Sequence, residues 1–452
     1  MGKSFGTDGI RGIVNEELDA RIAFNVGRAA AVVLAEEKRG DKPLFAIGKD
    51  TRISGDMLEA AMIAGLCSAG ANVLRLDVAP TPAVAYITKE SRADAGVVIS
   101  ASHNPYSDNG IKIFNGEGFK LSDAIEARIE ELLENEDQMI LRTGAEIGTV
   151  TQWGVGRYID HLISCASLGK RRLRVMIDCA HGAASQTAHA VFSRLPIDLD
   201  IIKDHPDGVN INVDCGSTHP EYLAKLVVAG GFDVGIAFDG DADRCIIVDE
   251  LGGILDGDKI MSICALDMMA KGKLNKDTIV ATVMSNLGFH EFARKSGISV
   301  ECTDVGDRYV LECMLKNGYN LGGEQAGHII FLDEATTGDG QLCAVKFLSI
   351  LSNSERRVSE LAAVVPTYPQ ILINVPVPNN EMKRVLMADE AILEAVRNEE
   401  GLLGDEGRIL VRESGTEALI RVMVEAKLDR TAEDTAKILS NFIKIRLNEG
   451  VC

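Results

Sequence analysis

Residues 234–244 read Val-Gly-Ile-Ala-Phe-Asp-Gly-Asp-Ala-Asp-Arg, a short apolar segment that runs into three aspartates at alternate positions. Only Gly240 and Ala242 separate Asp239, Asp241 and Asp243, so their carboxylates are crowded and disfavour joint ionisation unless a cation sits between them. An all-oxygen donor set suits a hard ion, Mg²⁺ or Ca²⁺, rather than zinc or copper. An EF-hand loop also begins with ligands at alternate positions, and Glu250 falls at its twelfth place. Its sixth position requires glycine for a sharp turn, however, and Arg244 stands there between flanks that read as strands. A catalytic divalent-metal loop is the favoured reading.

Three further segments carry chemistry-bearing residues. Gly96-Val-Val-Ile-Ser-Ala-Ser-His-Asn-Pro105 delivers Ser102 from a buried-type strand onto a loop stopped by proline, with Lys112 ten residues on. Ser- and Asn-rich turns usually do no chemistry. Here His103, Asn104 and Lys112 are all able to meet an anion, and a phosphate on Ser102 would give the cation a further oxygen beyond the three carboxylates. No G-x-S-x-G hydrolase elbow surrounds this serine. In Leu321-Gly-Gly-Glu-Gln-Ala-Gly-His328, glycines bracket a carboxylate, an amide and an imidazole, which fits either a grip on a polyhydroxy or amino sugar or a plain tight turn. Arg412-Glu-Ser-Gly-Thr-Glu417, with Arg421 beyond it, offers backbone N–H groups, two hydroxyls and two guanidiniums as a phosphate cradle that is not a Walker loop.

The elements that must position these loops alternate between strand-like and helical patterns, which points to α/β architecture. Residues 18–38 keep an apolar stripe (Ile22, Val26, Ala30, Val33, Leu34) and end at Lys38-Arg39-Gly40, and 57–69 reads as a second helix. Leu44–Ile47, Val73–Val78 and Gly96–Ser100 read as strands, and Ser122 is placed to cap a helix carrying Ile125, Ile129 and Leu132. The pattern restarts at Val175–Asp178 and again at Thr278–Val283, although sequence likeness between the restarts is too weak to establish a repeat. Beyond Pro366 strand-like segments (Ile371–Val375, Ile409–Val411, Leu419–Glu425) and helices near 388–398 and 432–447 describe a smaller α+β domain. The expected fold is therefore α/β: three similar α/β domains with mixed sheets (1–153, 154–254, 255–367) and a C-terminal α+β domain (368–452), around a central cleft.

Composition narrows the function. The 452 residues exceed one core, and 46% apolar with 25% charged residues is ordinary for a globular protein. No run approaches the ~18 apolar residues of a membrane span, and the N-terminus lacks a signal-peptide apolar region. Ten cysteines are scattered without a C-x-x-C pair, several in apolar runs, as expected of reduced thiols in the cytoplasm. A net charge of −20 argues against nucleic acid and acidic membrane surfaces as partners while leaving a small anionic substrate open. Basic residues cluster in the Gly-rich segments: Arg11, Lys49, Arg52, Lys112, Arg244, Arg308, Arg412 and Arg421.

Taken together, the segments resemble the α-D-phosphohexomutase family over essentially the whole chain and in the family's order. The matching motifs are Phe5-Gly-Thr-Asp-Gly-Ile-Arg-Gly12, Ser100–Pro105, Asp239–Arg244, Gly323–His328 and Arg412–Glu417. Three positions depart from the family pattern. Ala326 stands for a serine in the sugar loop, His181 for an asparagine, and Ala418 for a proline after the phosphate loop.

The resemblance implies a phosphorylated Ser102 that passes its phosphoryl group to glucosamine 6-phosphate. The resulting 1,6-bisphosphate would turn end for end and return the other phosphoryl, releasing glucosamine 1-phosphate for amino-sugar nucleotide and cell-wall synthesis. Mannose and glucose phosphates are the alternative substrates. One Mg²⁺ per site is implied on Asp239, Asp241, Asp243 and Ser102. Lys112 would exchange a proton or simply contact phosphate, with Arg11 and Arg244 stabilising charge and His328 a second acid–base candidate. His103, Glu324, Gln325 and Arg308 are expected to bind substrate, and Arg412, Ser414, Gly415, Thr416 and Arg421 to hold the phosphate that does not react. The implied partner is a small sugar phosphate, and because relatives are often dimers the resemblance also admits a homodimer.

Overall fold

In the computed structural model of the chain the described residues are 9–37, 42–139, 141–414 and 418–449. They form four sheets. The first contains β1 (Ile10–Ile13), β2 (Leu44–Lys49), β3 (Asn72–Val78), β4 (Ala95–Ile99), β5 (Asp108–Asn115) and β6 (Val150–Gln152), in the order β1-β5-β4-β2-β3-β6. The second contains β7 (Arg174–Asp178), β8 (Asp198–Ile202), β9 (Val234–Phe238), β10 (Cys245–Asp249) and β11 (Ile254–Leu255), ordered β11-β10-β9-β7-β8. In the third, β12 (Thr278–Thr282), β13 (Ser299–Thr303), β14 (Leu321–Gly323) and β15 (Ile329–Phe331) run β13-β12-β14-β15. The fourth is antiparallel, with β18 (Leu419–Ala426) between β16 (Gln370–Pro376) and β17 (Gly407–Glu413).

The weak hint of a repeat in the sequence becomes plain in the topology. Each of the first three sheets has a parallel trio, β3-β2-β4, β8-β7-β9 and β13-β12-β14, whose last strand turns back through a hairpin into an antiparallel neighbour, β5, β10 or β15. The strands β4 and β9 are buried along their whole length, as apolar runs covered on both faces must be. The serine loop lies between β4 and β5, the acidic loop between β9 and β10, and the sugar loop between β14 and β15. One position in the repeated unit thus supplies all three, at the carboxyl end of a parallel strand where open α/β sheets place their ligands.

Several elements differ from expectation. Thr81–Glu90 is a helix, although Thr81-Pro82 gave no helical signal; proline is tolerated in the first turn, where its missing N–H has no partner to lose. Asp108–Asn115, to which the sequence pattern assigns no element, is the strand β5. Ser122 occupies the cap position of the helix Asp123–Glu134, but its hydroxyl makes no cap hydrogen bond. The helix expected near 388–398 spans Glu390–Leu403 and is preceded by another, Asn380–Met387. Among the described residues no helix is long and apolar enough to cross a membrane.

By packing, the chain forms two compact units, residues 1–284 with 298–363, and residues 285–297 with 364–452. In the second, the fully buried Glu425 accepts from the Leu287 amide at 2.8 Å and from Arg408 Nε at 2.7 Å. The helix Leu287–Ser296, which follows β12 in the chain, is thereby fixed to the fourth sheet's unit.

In the first unit, α1 (Ala20–Glu37) and α2 (Gly55–Ser68) cover the apolar face of the first sheet, where Phe45, Ile47, Val97 and Ile99 meet Leu58, Met62 and Leu66. Their close approach depends on glycine. A Cβ on Gly65 would lie 2.0 Å from the Phe24 carbonyl oxygen, and one on Gly27 would lie 2.6 Å from that of Met62. Gly65→Ala therefore forces the helices apart and is expected to cost about 3 kcal/mol, at the upper end of overpacking effects. Urea unfolding followed by Trp153, the sole tryptophan, which stands beside β6, would show a lowered midpoint. An unmoved midpoint would mean that the helices do not pack this closely.

Candidate active site

Ser102 sits on the turn between β4 and β5 with φ at +52°, the left-handed region that a non-glycine residue adopts only when its surroundings impose it. Its amide donates to Ser100 Oγ at 2.9 Å, and Ser100 Oγ donates to Asp50 Oδ2 at 2.5 Å. The side chain is 2% exposed, and Oγ donates to Asp239 Oδ2 at 2.7 Å across a sequence separation of 137 residues. His103 Nδ1 lies 3.3 Å from the same Oγ. Burial, with Arg244 and Arg11 nearby, holds the His103 imidazole down at about 4, so it is neutral near pH 7.

The acidic loop is buried as a cluster. Asp239, Asp241 and Asp243 each present a carboxylate oxygen within 4.8 Å of the others. Burial first, and then Asp243 and Asp241, push the Asp239 carboxyl well above the usual range. Burial would do the same to Asp243, but His328 and Lys112 beside it hold that carboxyl well below the range. Lys112 Nζ is 3.1 Å from Asp241 Oδ2 and 3.7 Å from Asp243 Oδ2; Arg244 Nε is 4.0 Å from Asp239 and 3.9 Å from Asp243. Thr81, first residue of the helix Thr81–Glu90, clasps Asp241 through its hydroxyl (2.7 Å to Oδ2) and its amide (2.9 Å to the carbonyl). Arg11, on β1, lies one strand away from Lys112 on β5.

These residues fit a hard divalent cation. Oδ1 of Asp241 and Oδ1 of Asp243 are buried without a hydrogen-bond partner, a costly condition that a bound cation would relieve. Gly240 makes the approach to the serine loop possible, since a Cβ there would stand 2.5 Å from the Ser102 carbonyl oxygen.

The sugar loop is sewn to the acidic loop. Cys245 N donates to the Gly327 carbonyl at 3.0 Å, and Arg244 and His328 form an isolated antiparallel bridge. Burial opposes charge on His328, yet Asp243, Asp307 and Glu324 raise its imidazole to about 9. The Gly338 amide, however, donates to Nε2 at 3.1 Å, which requires that nitrogen to be unprotonated and leaves the proton on Nδ1, 3.6 Å from Asp243. The geometry therefore describes a neutral imidazole, the form that a cation on Asp243 would favour by offsetting the attraction that raises the value. Glu324 accepts from the Gly306 amide at 3.1 Å, and burial raises its carboxyl.

Two expected substrate ligands are otherwise occupied. Gln325 Nε2 donates to Asp256 at 3.2 Å, which ties the loop to the start of the helix Gly257–Ala270. The Arg308 guanidinium lies among Asp123 (2.7 Å), Glu312 (3.2 Å) and Glu126 (3.5 Å). Ala326 is exposed on the loop.

In the second unit, Arg412 on β17 pairs directly with Arg421 on β18. Burial, and then Arg421 alongside, lower the Arg412 pKa, and like charges opposite one another across a sheet are unfavourable without an anion. Ser414 N closes the hairpin on the Leu419 carbonyl at 3.0 Å. Lys383, which drew no attention in the sequence, is buried with Nζ donating to the Ser414 carbonyl at 2.5 Å. Gly415 and Thr416 lie outside the described residues, as do residues 5–8 of the opening motif. Sequence reasoning also gave no role to Asp50, Thr81 or Gly306. Arg52 stood out only as one more cation, and a lone Thr-Pro or Gly-Asp carries no signal of its own.

Three repeated mixed sheets and a helix-backed fourth, with a serine against a buried carboxylate trio, define a phosphohexomutase, an enzyme of the isomerase class that moves a phosphoryl group within a sugar phosphate. Models of the phosphoglucomutase/phosphomannomutase family match residues 2–139 (alpha/beta/alpha domain I), 156–252 (domain II), 256–368 (domain III) and 372–441 (C-terminal domain). The chain belongs to this family. Among its relatives is the phosphoglucosamine mutase of Acetivibrio thermocellus, 51% identical over 450 residues, covering 99% of this chain and 100% of that one. The fold also matches a phosphoglucomutase/phosphomannomutase family protein from Burkholderia thailandensis (TM-score 0.83, 23% identity, 100% and 99% of the two chains). A further match is the Aspergillus fumigatus N-acetylphosphoglucosamine mutase solved with GlcNAc-6P and magnesium (TM-score 0.70, 18% identity, 98% and 96%).

A buried trio that awaits a cation predicts opposite responses with and without one. Asp239→Asn removes repulsion, so in EDTA its melting temperature should not fall below that of the parent. Mg²⁺ at a hundred times its dissociation constant should stabilise the parent by about 2.7 kcal/mol and the variant much less. A scanning-calorimetry experiment in which the parent ignores Mg²⁺ would remove the metal site.

Proposed function

We propose that the protein interconverts glucosamine 6-phosphate and glucosamine 1-phosphate through a phosphorylated Ser102 and a glucosamine 1,6-bisphosphate. The substrate reading is supported by relatives of half-identical sequence that bear the phosphoglucosamine mutase name. The observation that carries the mechanism is the 2.7 Å hydrogen bond from Ser102 Oγ to a buried carboxylate trio. Asp239, Asp241 and Asp243, with an oxygen on Ser102, would hold Mg²⁺, which when bound neutralises charge on the transferring phosphoryl group and stabilises the serine alkoxide as leaving group.

Phosphoryl transfer needs positioning and charge stabilisation more than covalent help. Arg11 and Arg244 supply positive charge beside Ser102. Lys112, beside Asp241 and Asp243, which favour its charged form, suits a phosphate contact, and it would receive the proton of the attacking sugar hydroxyl only after losing its own. His103, neutral and 3.3 Å from Oγ, contacts the phosphoryl oxygens without adding charge. Glu324, fixed by the Gly306 amide, accepts from sugar hydroxyl or ammonium groups. Arg412, Ser414 and Arg421 suit the phosphate that is not in transit, and Lys383 braces their turn. A small sugar phosphate is the partner, in the cytoplasm, and the assembly we propose is a homodimer.

Two measurements test this reading. Intact mass and peptide mapping should find about 80 Da on Ser102, the increment of one phosphoryl group, and Ser102→Ala should lose at least about 10³-fold in turnover. Turnover on glucosamine 6-phosphate should exceed that on mannose and glucose 6-phosphates. Preference for the neutral sugars would make the enzyme a phosphomannomutase/phosphoglucomutase, and net release of inorganic phosphate would make it a phosphatase.

A further inference from the structure

The left-handed conformation of Ser102 needs a cause, and two side chains outside the expected site supply it. Arg52 lies in the loop after β2 with its side chain wholly buried. Its guanidinium has five N–H donors, and five acceptors surround it. Nε meets Asp50 Oδ2 at 2.8 Å. One terminal nitrogen meets the Ser102 carbonyl at 2.9 Å and that of Asn104 at 2.8 Å. The other meets the carbonyls of Pro105 and Asp108, the latter at 3.0 Å. Asn212, from the segment between β8 and β9, reaches two of the same carbonyls with Nδ2, Ser102 at 2.9 Å and Asn104 at 3.2 Å.

We infer that Arg52 and Asn212 are positioning residues for the reaction: a two-sided clamp on the Ser102 and Asn104 carbonyls that holds Ser102 left-handed and aims Oγ at the acidic trio. The inference rests on the reading of Ser102 as phosphoryl carrier. The amide of Ser102 is fixed on its other side through Ser100 and Asp50, and Asp50 in turn anchors Arg52. Both polar main-chain groups of the nucleophile are therefore pinned, and the clamp joins the serine loop to a segment lying against the acidic loop, since Asn212 Nδ2 is 2.9 Å from where a Cβ on Gly240 would stand. Arginine is required because lysine, with three donors and no planar fork, leaves carbonyls of the loop unpaired while preserving charge.

Arg52→Lys and Asn212→Gly test the clamp in the full-length, Mg²⁺-loaded enzyme. Glycine adopts the φ of +62° at position 212 freely, so the second variant removes the side chain alone. Each should lower kcat by about 10–100-fold, the scale of a misplacement near 1 Å, while KM for glucosamine 6-phosphate stays within about threefold. Transfer from a hexose 1,6-bisphosphate to Ser102, followed as the gain of about 80 Da, should slow in parallel. Because both residues act through one serine conformation, the double variant should lose much less than the product of the single losses. Turnover within threefold of the parent in both single variants would overturn the inference, and so would losses that track a lowered melting temperature with KM and kcat falling together. Ser102→Ala separates the two questions: if that variant kept full turnover, the carrier reading would fail, whereas an inactive Ser102→Ala beside a fully active Arg52→Lys would sink the clamp alone.

Discussion

Mutual repulsion among three buried carboxylates is the constraint to which the rest of the first unit answers. Two unit charges about 4 Å apart at an effective dielectric near 20 repel by about 4 kcal/mol, and Asp239, Asp241 and Asp243 each present an oxygen within 4.8 Å of the others. The chain relieves this repulsion only in part. Lys112 and Arg244 offset part of it, at 3.1 Å and about 4 Å, yet two carboxylate oxygens remain without partners. Such a cluster persists only because the surrounding sheets over-determine it: β9 and β10 are buried along their full length, and Thr81 and Gly340 fasten the loop by its main chain. The cluster suits a cation, and the 2.7 Å hydrogen bond from Ser102 Oγ to Asp239 sets the serine beside it.

The repeated topology explains how so local an arrangement draws on residues far apart in sequence. The hairpin that leaves each parallel trio is free to vary because its strands, not its residues, carry the fold. The first copy became the serine loop, the second the acidic loop and the third the sugar loop. Glycines allow these loops to meet. Gly240 lies against the Ser102 carbonyl and Gly327 against that of Cys245, while a Cβ on Gly338 would stand 2.5 Å from the His328 ring. In each case a close backbone approach, not turn geometry alone, excludes a side chain.

This division also accounts for what could be read in advance. Buried parallel strands are continuous apolar runs and most were legible, as was α1 with its apolar stripe. The acidic trio was legible because three carboxylates at alternate positions crowd charge that a cation would offset. Ser102 was legible from its company of His103, Asn104 and Lys112. What escaped is held by geometry that no spacing encodes. Arg52 acts through main-chain carbonyls, Thr81 begins a helix that its Thr-Pro start does not signal, and Lys383 reaches a carbonyl 31 residues away. Gln325 meets Asp256, and Arg308 lies among the carboxylates of Asp123, Glu126 and Glu312, contacts that no residue spacing announces. The repeat itself was faint because burial specifies apolar character, which many sequences satisfy, whereas strand order is written only in the pairing.

The second unit repeats the same logic with the sign reversed. Register places Arg412 opposite Arg421 when a one-residue shift would have turned one of them to the other face. Burial, and then Arg421 beside it, lowers the pKa of Arg412, and the adjoining turn takes a buried lysine against its carbonyl as well. A sheet selected for stability alone would place an acid across from one of these guanidiniums. Two guanidiniums side by side suit an anion with several oxygens, and phosphate can meet such a pair bidentately. The two units thus concentrate charge of opposite sign: the first crowds carboxylates in the loop after β9, and the second opposes guanidiniums across the β17–β18 hairpin.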